Sequence, residues 1–231
     1  MTAAEGDFSA SEPAKLATAR SVRLGLLLAL VGGALDAYTF VDYRVFANAQ
    51  TGNIVLLGIS AAQRDWWHAA ERVPPIIAFI VGVVVAETLQ RPRVAAVLRW
   101  PARVAVVLEI VVLIAVALLP GDAPTVTTLL VAFVSSVQVT TFRTLVDTSY
   151  STTMTTGNLR TATQNAYAAV ISRDREAARR AWRFGAIVLA FLVGACAGAV
   201  LTMQLHTYAV LIPAALLVAA LALFVHDERA A

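Results

Sequence analysis

Six stretches of this chain are apolar for long enough to cross a bilayer as helices: roughly 23–42, 74–90, 103–119, 125–142, 184–204 and 207–225. A helix needs about 20 such residues to cover about 30 Å of hydrocarbon. With short connections, these runs take up most of the 231 residues. The chain is 59% apolar and 14% charged, against about 45–50% and about 25% in soluble domains. A soluble monomer cannot keep that much apolar surface dry, and so apolar a chain does not stay disordered. The expectation is an all-α membrane protein with about six transmembrane helices.

Basic residues in the loops set the expected orientation. Arg91, Arg93, Arg99 and Arg103 follow the second run, and Arg160, Arg173, Arg175, Arg179, Arg180 and Arg183 precede the fifth. Lys15, Arg20 and Arg23 precede the first, whereas the alternate connections are poorer in basic residues. This predicts cytoplasmic N- and C-termini. Residues 1–22 are taken as a cytoplasmic tail and 23–231 as one transmembrane domain. The first run is longer than a signal peptide's apolar core and lacks a cleavage site, so it is expected to be retained. Trp66, Trp67, Trp100 and Trp182 fall near predicted span ends, where an aromatic belt belongs. Pro213, inside the last run, predicts a kink.

Two connections, 43–73 and 143–183, exceed what a linker needs, and both contain Thr-Gly-Asn. Thr51-Gly52-Asn53 opens an apolar stretch to Ala62, too short to span and expected to be a re-entrant or interfacial half-helix, tolerated at membrane depth only if protein buries it. Thr156-Gly157-Asn158 opens a more polar helix. Other segments recur in the same order. Ala34-Leu35-Asp36-Ala37-Tyr38-Thr39-Phe40 is similar to Ser136-Val137-Gln138-Val139-Thr140-Thr141-Phe142, and Ala78–Gly82 to Ala190–Gly194. The ordered series predicts an internal duplication, with repeat one at 23–120 and repeat two at 125–225. Each repeat holds three spans, an odd number, so the second would enter the membrane upside down: the inverted-repeat plan of many secondary transporters. Thr and Asn at the two breaks are expected to cap helices, whose N-termini suit an anionic or polar ligand.

Gly33-Ala34-Leu35-Asp36-Ala37 followed by Thr51-Gly52-Asn53-Ile54-Val55-Leu56-Leu57-Gly58 resembles the YoaK family, the domain-of-unknown-function 1275 family, over nearly the whole chain. The resemblance implies a multi-pass protein of the bacterial inner membrane and supplies no substrate. The second half departs from the pattern, with Gln138 at the position of Asp36.

A carboxylate at mid-membrane costs about 2.5–3.5 kcal/mol even on the mildest insertion scale, so it marks a partner or a function. Asp36 is the first candidate for proton coupling and Glu109 the second. Glu87 precedes Arg91 by four residues, which predicts an ion pair on one helix face. Arg143 is expected to snorkel to the interface. Asn48, Gln50, Thr51 and Asn53 sit in apolar surroundings and, with Asp36, are candidate solute-binding residues; Gln138, Thr141, Thr156 and Asn158 are their second-half counterparts. The hydroxyl-rich tract from Thr140 to Thr163 either lines a wet cavity or is a polar loop. Gly25, Gly32 and Gly33, and the pair Gly194 and Gly198, provide packing surfaces within one chain or between copies in a homo-oligomer.

No zincin, phosphate-loop or nucleophile-elbow motif is present, and the three histidines lie far apart. The single cysteine, Cys196, forms no disulfide within the chain. No enzyme activity, cofactor, metal or nucleic acid is expected; the expected partners are the lipid bilayer and a small-molecule solute. The leading expectation is a small-solute secondary transporter, proton-coupled through Asp36, with its site between the repeats. The alternatives are a passive channel, and a non-transporting scaffold or sensor that uses the arginines between Arg173 and Arg183.

Overall fold

The computed structural model describes residues 21–98, 100–119, 123–146 and 148–230. The expected tail up to residue 20, Arg99 and the turn at 120–122 lie outside the described residues. The described residues are 84% helical and all-α, apart from a hairpin of two-residue strands, β1 (Thr144–Leu145) and β2 (Thr148–Ser149). The helices are α1 (Val22–Tyr43), α2 (Gln50–Ala62), α3 (Trp66–Glu71), α4 (Val73–Leu89), α5 (Pro92–Leu98), α6 (Pro101–Ala117), α7 (Pro124–Thr141), α8 (Thr155–Ser172), α9 (Arg175–Leu205) and α10 (Leu211–Ala230), with a 3₁₀ turn at His206–Val210.

Local chemistry sets these boundaries. Ser21 Oγ accepts the Leu24 N–H at 3.2 Å and starts α1. Arg44, in the left-handed region at φ 58°, ends it. α4, α6 and α7 each have proline in the first turn, where a missing N–H costs nothing. Asp174 Oδ1 accepts the N–H groups of Glu176 and Ala177 and opens α9. Pro213 produces no kink. The chain breaks earlier, at the 3₁₀ turn, and Pro213 then falls in the first turn of α10.

Among the described residues, four helical stretches are long and apolar enough to cross a membrane: Val22–Tyr43, Trp66–Leu89, Pro124–Thr141 and Arg175–Leu223. A fifth arises if Pro92–Leu98 and Pro101–Ala117, bent by 71°, count as one span. This is a multi-pass membrane protein. Ile77, Ile80, Val84, Val111, Leu189 and Leu192 are exposed on its outside, as a lipid-facing surface requires.

Helix α1 lies at the centre. Leu24, Leu28, Val31, Leu35 and Tyr38 are buried there among Val106, Leu113 and Val116 of α6, Val131 and Val134 of α7, and Leu217 of α10. The most extensive packing is α1 against α9, then α4 against α7, then α8 against α9. The first two crossings use small residues. A Cβ on Gly33 would collide with the Phe191 carbonyl oxygen, one on Gly194 with that of Leu30, and one on Gly198 would lie 2.6 Å from Ala34 Cα. A Cβ on Gly82 would run into Ser136 Oγ and lie 2.5 Å from the Phe133 carbonyl oxygen. The expected small-residue faces therefore pack inside one chain. Backbones this close leave no side chain to move aside, and TM helices rely on such contacts because lipid gives apolar side chains no preference for each other.

Gly33→Leu and Gly194→Leu should therefore each destabilise the protein by at least about 1–3 kcal/mol, the usual cost of overpacking. Thermal unfolding in detergent would show this as a Tm lowered by several degrees, whereas Gly58→Leu, where a Cβ meets nothing within 4 Å, should leave it unchanged.

Candidate functional site

Two non-helical connectors interrupt the bundle, and one asparagine holds each. In residues 44–49, between α1 and α2, Asn53 reaches back seven residues. Its Oδ1 accepts the Phe46 N–H at 2.8 Å and its Nδ2 donates to the Phe46 carbonyl at 2.7 Å. Before α8, Asn158 does the same to Ser151. Its Oδ1 accepts the Ser151 N–H at 3.4 Å and its Nδ2 donates to the Ser151 carbonyl at 2.5 Å. The residues entering the two helices share one conformation, Ala49 at φ −76°, ψ 68° and Met154 at φ −84°, ψ 75°. Neither helix has a side-chain cap. The expected capping by Thr and Asn is thus corrected: the asparagine lies past the cap position and clamps the incoming backbone, satisfying an N–H and a C=O that apolar surroundings would leave orphaned.

The first connector is also tied to α1. Asn48 N–H donates to Asp36 Oδ1 at 2.6 Å, and Asn48 Nδ2 to the Gly32 carbonyl at 3.3 Å. Gln50 Nε2 donates to the Ala47 carbonyl, and Gln50 Oε1 accepts from Asn53 Nδ2 at 2.9 Å. Asp36, Asn48 and Asn53 are buried. The second connector meets α1 at the same turn: a Cβ on Gly32 would lie 2.5 Å from Thr153 Cγ2. Thr152, next to it, is fully buried, and its Oγ1 has no hydrogen-bond partner among the described residues. Asn48 Oδ1 is unpartnered in the same way. Both connectors therefore meet the middle of the central helix at Gly32, the first through hydrogen bonds to Gly32 and Asp36 and the second through the Thr153 methyl group.

Residues 24–223 match the family model described as "Protein of unknown function (DUF1275)". The chain belongs to the DUF1275 family. No curated protein and no solved structure matches it.

In this DUF1275 protein the remaining candidates scatter. Thr51 and Thr156 are exposed. Each sits two residues before its clamp asparagine, about 200° around the helix, so burying the asparagine turns the threonine outward. Gln138 is buried, but its Nε2 donates to the Leu28 carbonyl at 3.2 Å, one turn before Gly32. It ties α7 to α1 and does not take up the part Asp36 plays in the first half. Thr141 is half-buried at the end of α7. Glu109, on α6, is 1% exposed, and neither carboxyl oxygen has a hydrogen-bond partner among the described residues. The ion pair expected between Glu87 and Arg91 is replaced by one between Glu87 and Arg143 at 2.9 Å. α4 and α7 pack side by side, so the residue just past α7 reaches a carboxylate on α4. Both side chains are about half exposed, so the pair adds little stability. Helix α2 is not buried by protein, the condition set for a re-entrant placement, which leaves the interfacial alternative. Only Asn53 and Ser60 are buried, while Ile54 and Val55 are exposed. Lipid tolerates this because a helix satisfies its own backbone.

Sequence reasoning placed Thr152 and Thr153 in an undifferentiated hydroxyl tract. Their burial follows from Asn158 drawing Ser151 inward, and the signal was available: each Thr-Gly-Asn asparagine stands seven residues after its clamped partner.

Asn53→Ala and Asn158→Ala should each strand one N–H and one C=O, costing about 1–3 kcal/mol per orphaned group. Each should lower the Tm in detergent by several degrees. Glu109→Leu should raise it, because an apolar side chain replaces a buried carboxyl that makes no hydrogen bond. A fall would reveal a partner for Glu109.

Proposed function

We propose that this protein is a small-solute secondary transporter of the bacterial inner membrane, proton-coupled through Asp36 with Glu109 as a second carrier, and with its solute site where the two connectors meet. The observation that carries this reading is that two connectors clamped in the same pattern, one from each half, meet α1 at Gly32, one turn from Asp36. Broken helices whose irregular backbone lines a polar centre at mid-membrane are how transporters hold solutes without exposing unpaired groups to lipid.

The helix pairing supports an inverted repeat. If α1, α4 and α6 correspond to α7, α9 and α10, the crossing of α1 with α9 maps onto that of α7 with α4. Both are close crossings, at Gly194 and Gly82, the two glycines that end the recurring segments Ala190–Gly194 and Ala78–Gly82. Six spans follow once Arg175–Leu223 counts as two. At about 1.5 Å per residue an unbroken helix of 49 residues would be roughly 70 Å long, more than twice the hydrocarbon thickness, and the 3₁₀ turn divides it. The arginine distribution then puts both termini in the cytoplasm.

Asp36 couples a proton to this centre through the connector. As a carboxylate it accepts the Asn48 N–H in a short, charge-assisted bond and holds residues 44–49 against α1. A proton on Asp36 weakens that acceptor and introduces a donor, for which the unpartnered Asn48 Oδ1 is the acceptor at hand. Uptake and release of the proton thereby bias two arrangements of the connector.

Reconstituted in liposomes carrying a pH-sensitive dye, the protein should move protons when solutes found by a thermal-shift screen are added. Asp36→Asn should reduce that flux at least tenfold. Solute uptake that survives the substitution undiminished would make the protein a passive facilitator. A screen without a single hit would leave a scaffold or sensor, for which substitutions between Arg173 and Arg183 should matter to cells and Asp36→Asn should not.

A further inference from the structure

A second polar feature lies at the end of the bundle where α1 stops and α4 and α7 begin. A cavity of about 250 Å³ opens there, bounded by Asp42, Arg44 and Val45, by Glu71 and Arg72, and by Thr128. Arg72 is 7% exposed, and its Nε and Nη1 are buried with no hydrogen-bond partner among the described residues. A guanidinium cannot shed its charge at physiological pH, so burying one without an acceptor costs free energy that a native site offsets with a ligand. Thr128, also buried, spends its hydroxyl proton on the Thr125 carbonyl at 3.2 Å and supplies no acceptor bond to Arg72 in the described contacts.

Carboxylates are within the same cavity, yet none closes on Arg72. Asp42 and Glu71 line it, and among the described residues no ion pair joins either to the guanidinium. Glu71 acts on the Arg72 charge at longer range, and with no hydrogen-bonded ion pair closing across the hollow among the described residues, charges of both signs leave room for a molecule that carries both. A cation at the floor takes a carboxylate, and acids nearer the mouth take an ammonium. The volume is just below the roughly 300–1,000 Å³ of drug-sized pockets, which suits a solute of amino-acid size.

We infer that this cavity binds a small zwitterion of the α-amino-acid class, its carboxylate on Arg72 and its amino group toward Asp42 and Glu71. Val45 places the cavity on the same connector that Asn48 ties to Asp36, but the inference does not need transport to be true, because binding is measured on the protein at rest.

Isothermal titration of the full-length protein in nanodiscs should show saturable binding of at least one of the twenty common L-amino acids. For that amino acid, the matching carboxylic acid without the amino group and the matching amine without the carboxyl should each bind at least tenfold more weakly. Arg72→Gln should weaken binding at least tenfold, and Arg72→Lys less. Should Arg72→Gln fail to elute as a monodisperse peak, Asp42→Asn, at a half-exposed position, carries the test with a weakening specific to the zwitterion. No saturable binding of any amino acid would overturn the inference. So would a carboxylic acid that binds as tightly as its amino acid with Asp42→Asn silent, an outcome that makes the cavity a simple anion site.

Discussion

A lipid-embedded chain has nowhere to leave an unpaired peptide group, and two asparagine amides answer that constraint here. Helices satisfy their own backbones, so α1, α4, α6, α7, α9 and α10 need little beyond apolar surfaces. The connectors cannot do this. At Phe46 and at Ser151 the chain runs irregularly, and each time one amide side chain offers a donor and an acceptor to the same residue seven positions back. The clamp allows a polar, non-helical segment beside Gly32. The buried side chains of Asn48, Thr152 and Thr153 sit on the segments it holds.

The close crossings complement the clamps. Gly32 and Gly33 are adjacent and serve different neighbours, Gly33 meeting the α9 backbone and Gly32 the two connectors. One turn of α1 therefore carries both the tightest helix contact and the polar centre. Because Gly194 and Gly198 bring α9 onto α1 without intervening side chains, a displacement of α9 would be felt at the connectors directly. Packed interfaces of this kind change between discrete arrangements and do not deform smoothly, which is what an alternating mechanism requires.

Much of this was legible in the sequence, and the reason is that membrane spans, small-residue faces and repeated tripeptides are local signals. The first four apolar runs fall within two residues of their helices, while α9 begins nine residues ahead of the fifth run, and Gly194-x-x-x-Gly198 packs as its spacing suggests. What escaped was set by partners distant along the chain or by facing. Glu87 offered an arginine one turn away, but α7 brought Arg143 to it. Thr51 and Thr156 belonged to the right motif on the wrong face. Nothing local marks Arg72, because Asp42, at the far end of another helix, shares a cavity with it only once the chain has folded.

The asymmetry at Asp36 and Gln138 bears on how the two halves divide the work. If the carboxylate were only glue for the polar centre, a neutral amide in the matching place could serve the same purpose, and the second half shows an amide doing that: Gln138 ties α7 to α1 through a neutral bond to the Leu28 carbonyl. The second connector, moreover, reaches Gly32 through the Thr153 methyl group, with no hydrogen bond to an acid of α1 among the described residues. A charge is thus dispensable for building such a connector, and insertion in lipid makes it expensive. Its retention at Asp36, which accepts the Asn48 N–H and so ties the first connector to α1, sets a titratable group on a contact inside the first half, and that contact is where the proposed proton coupling would act.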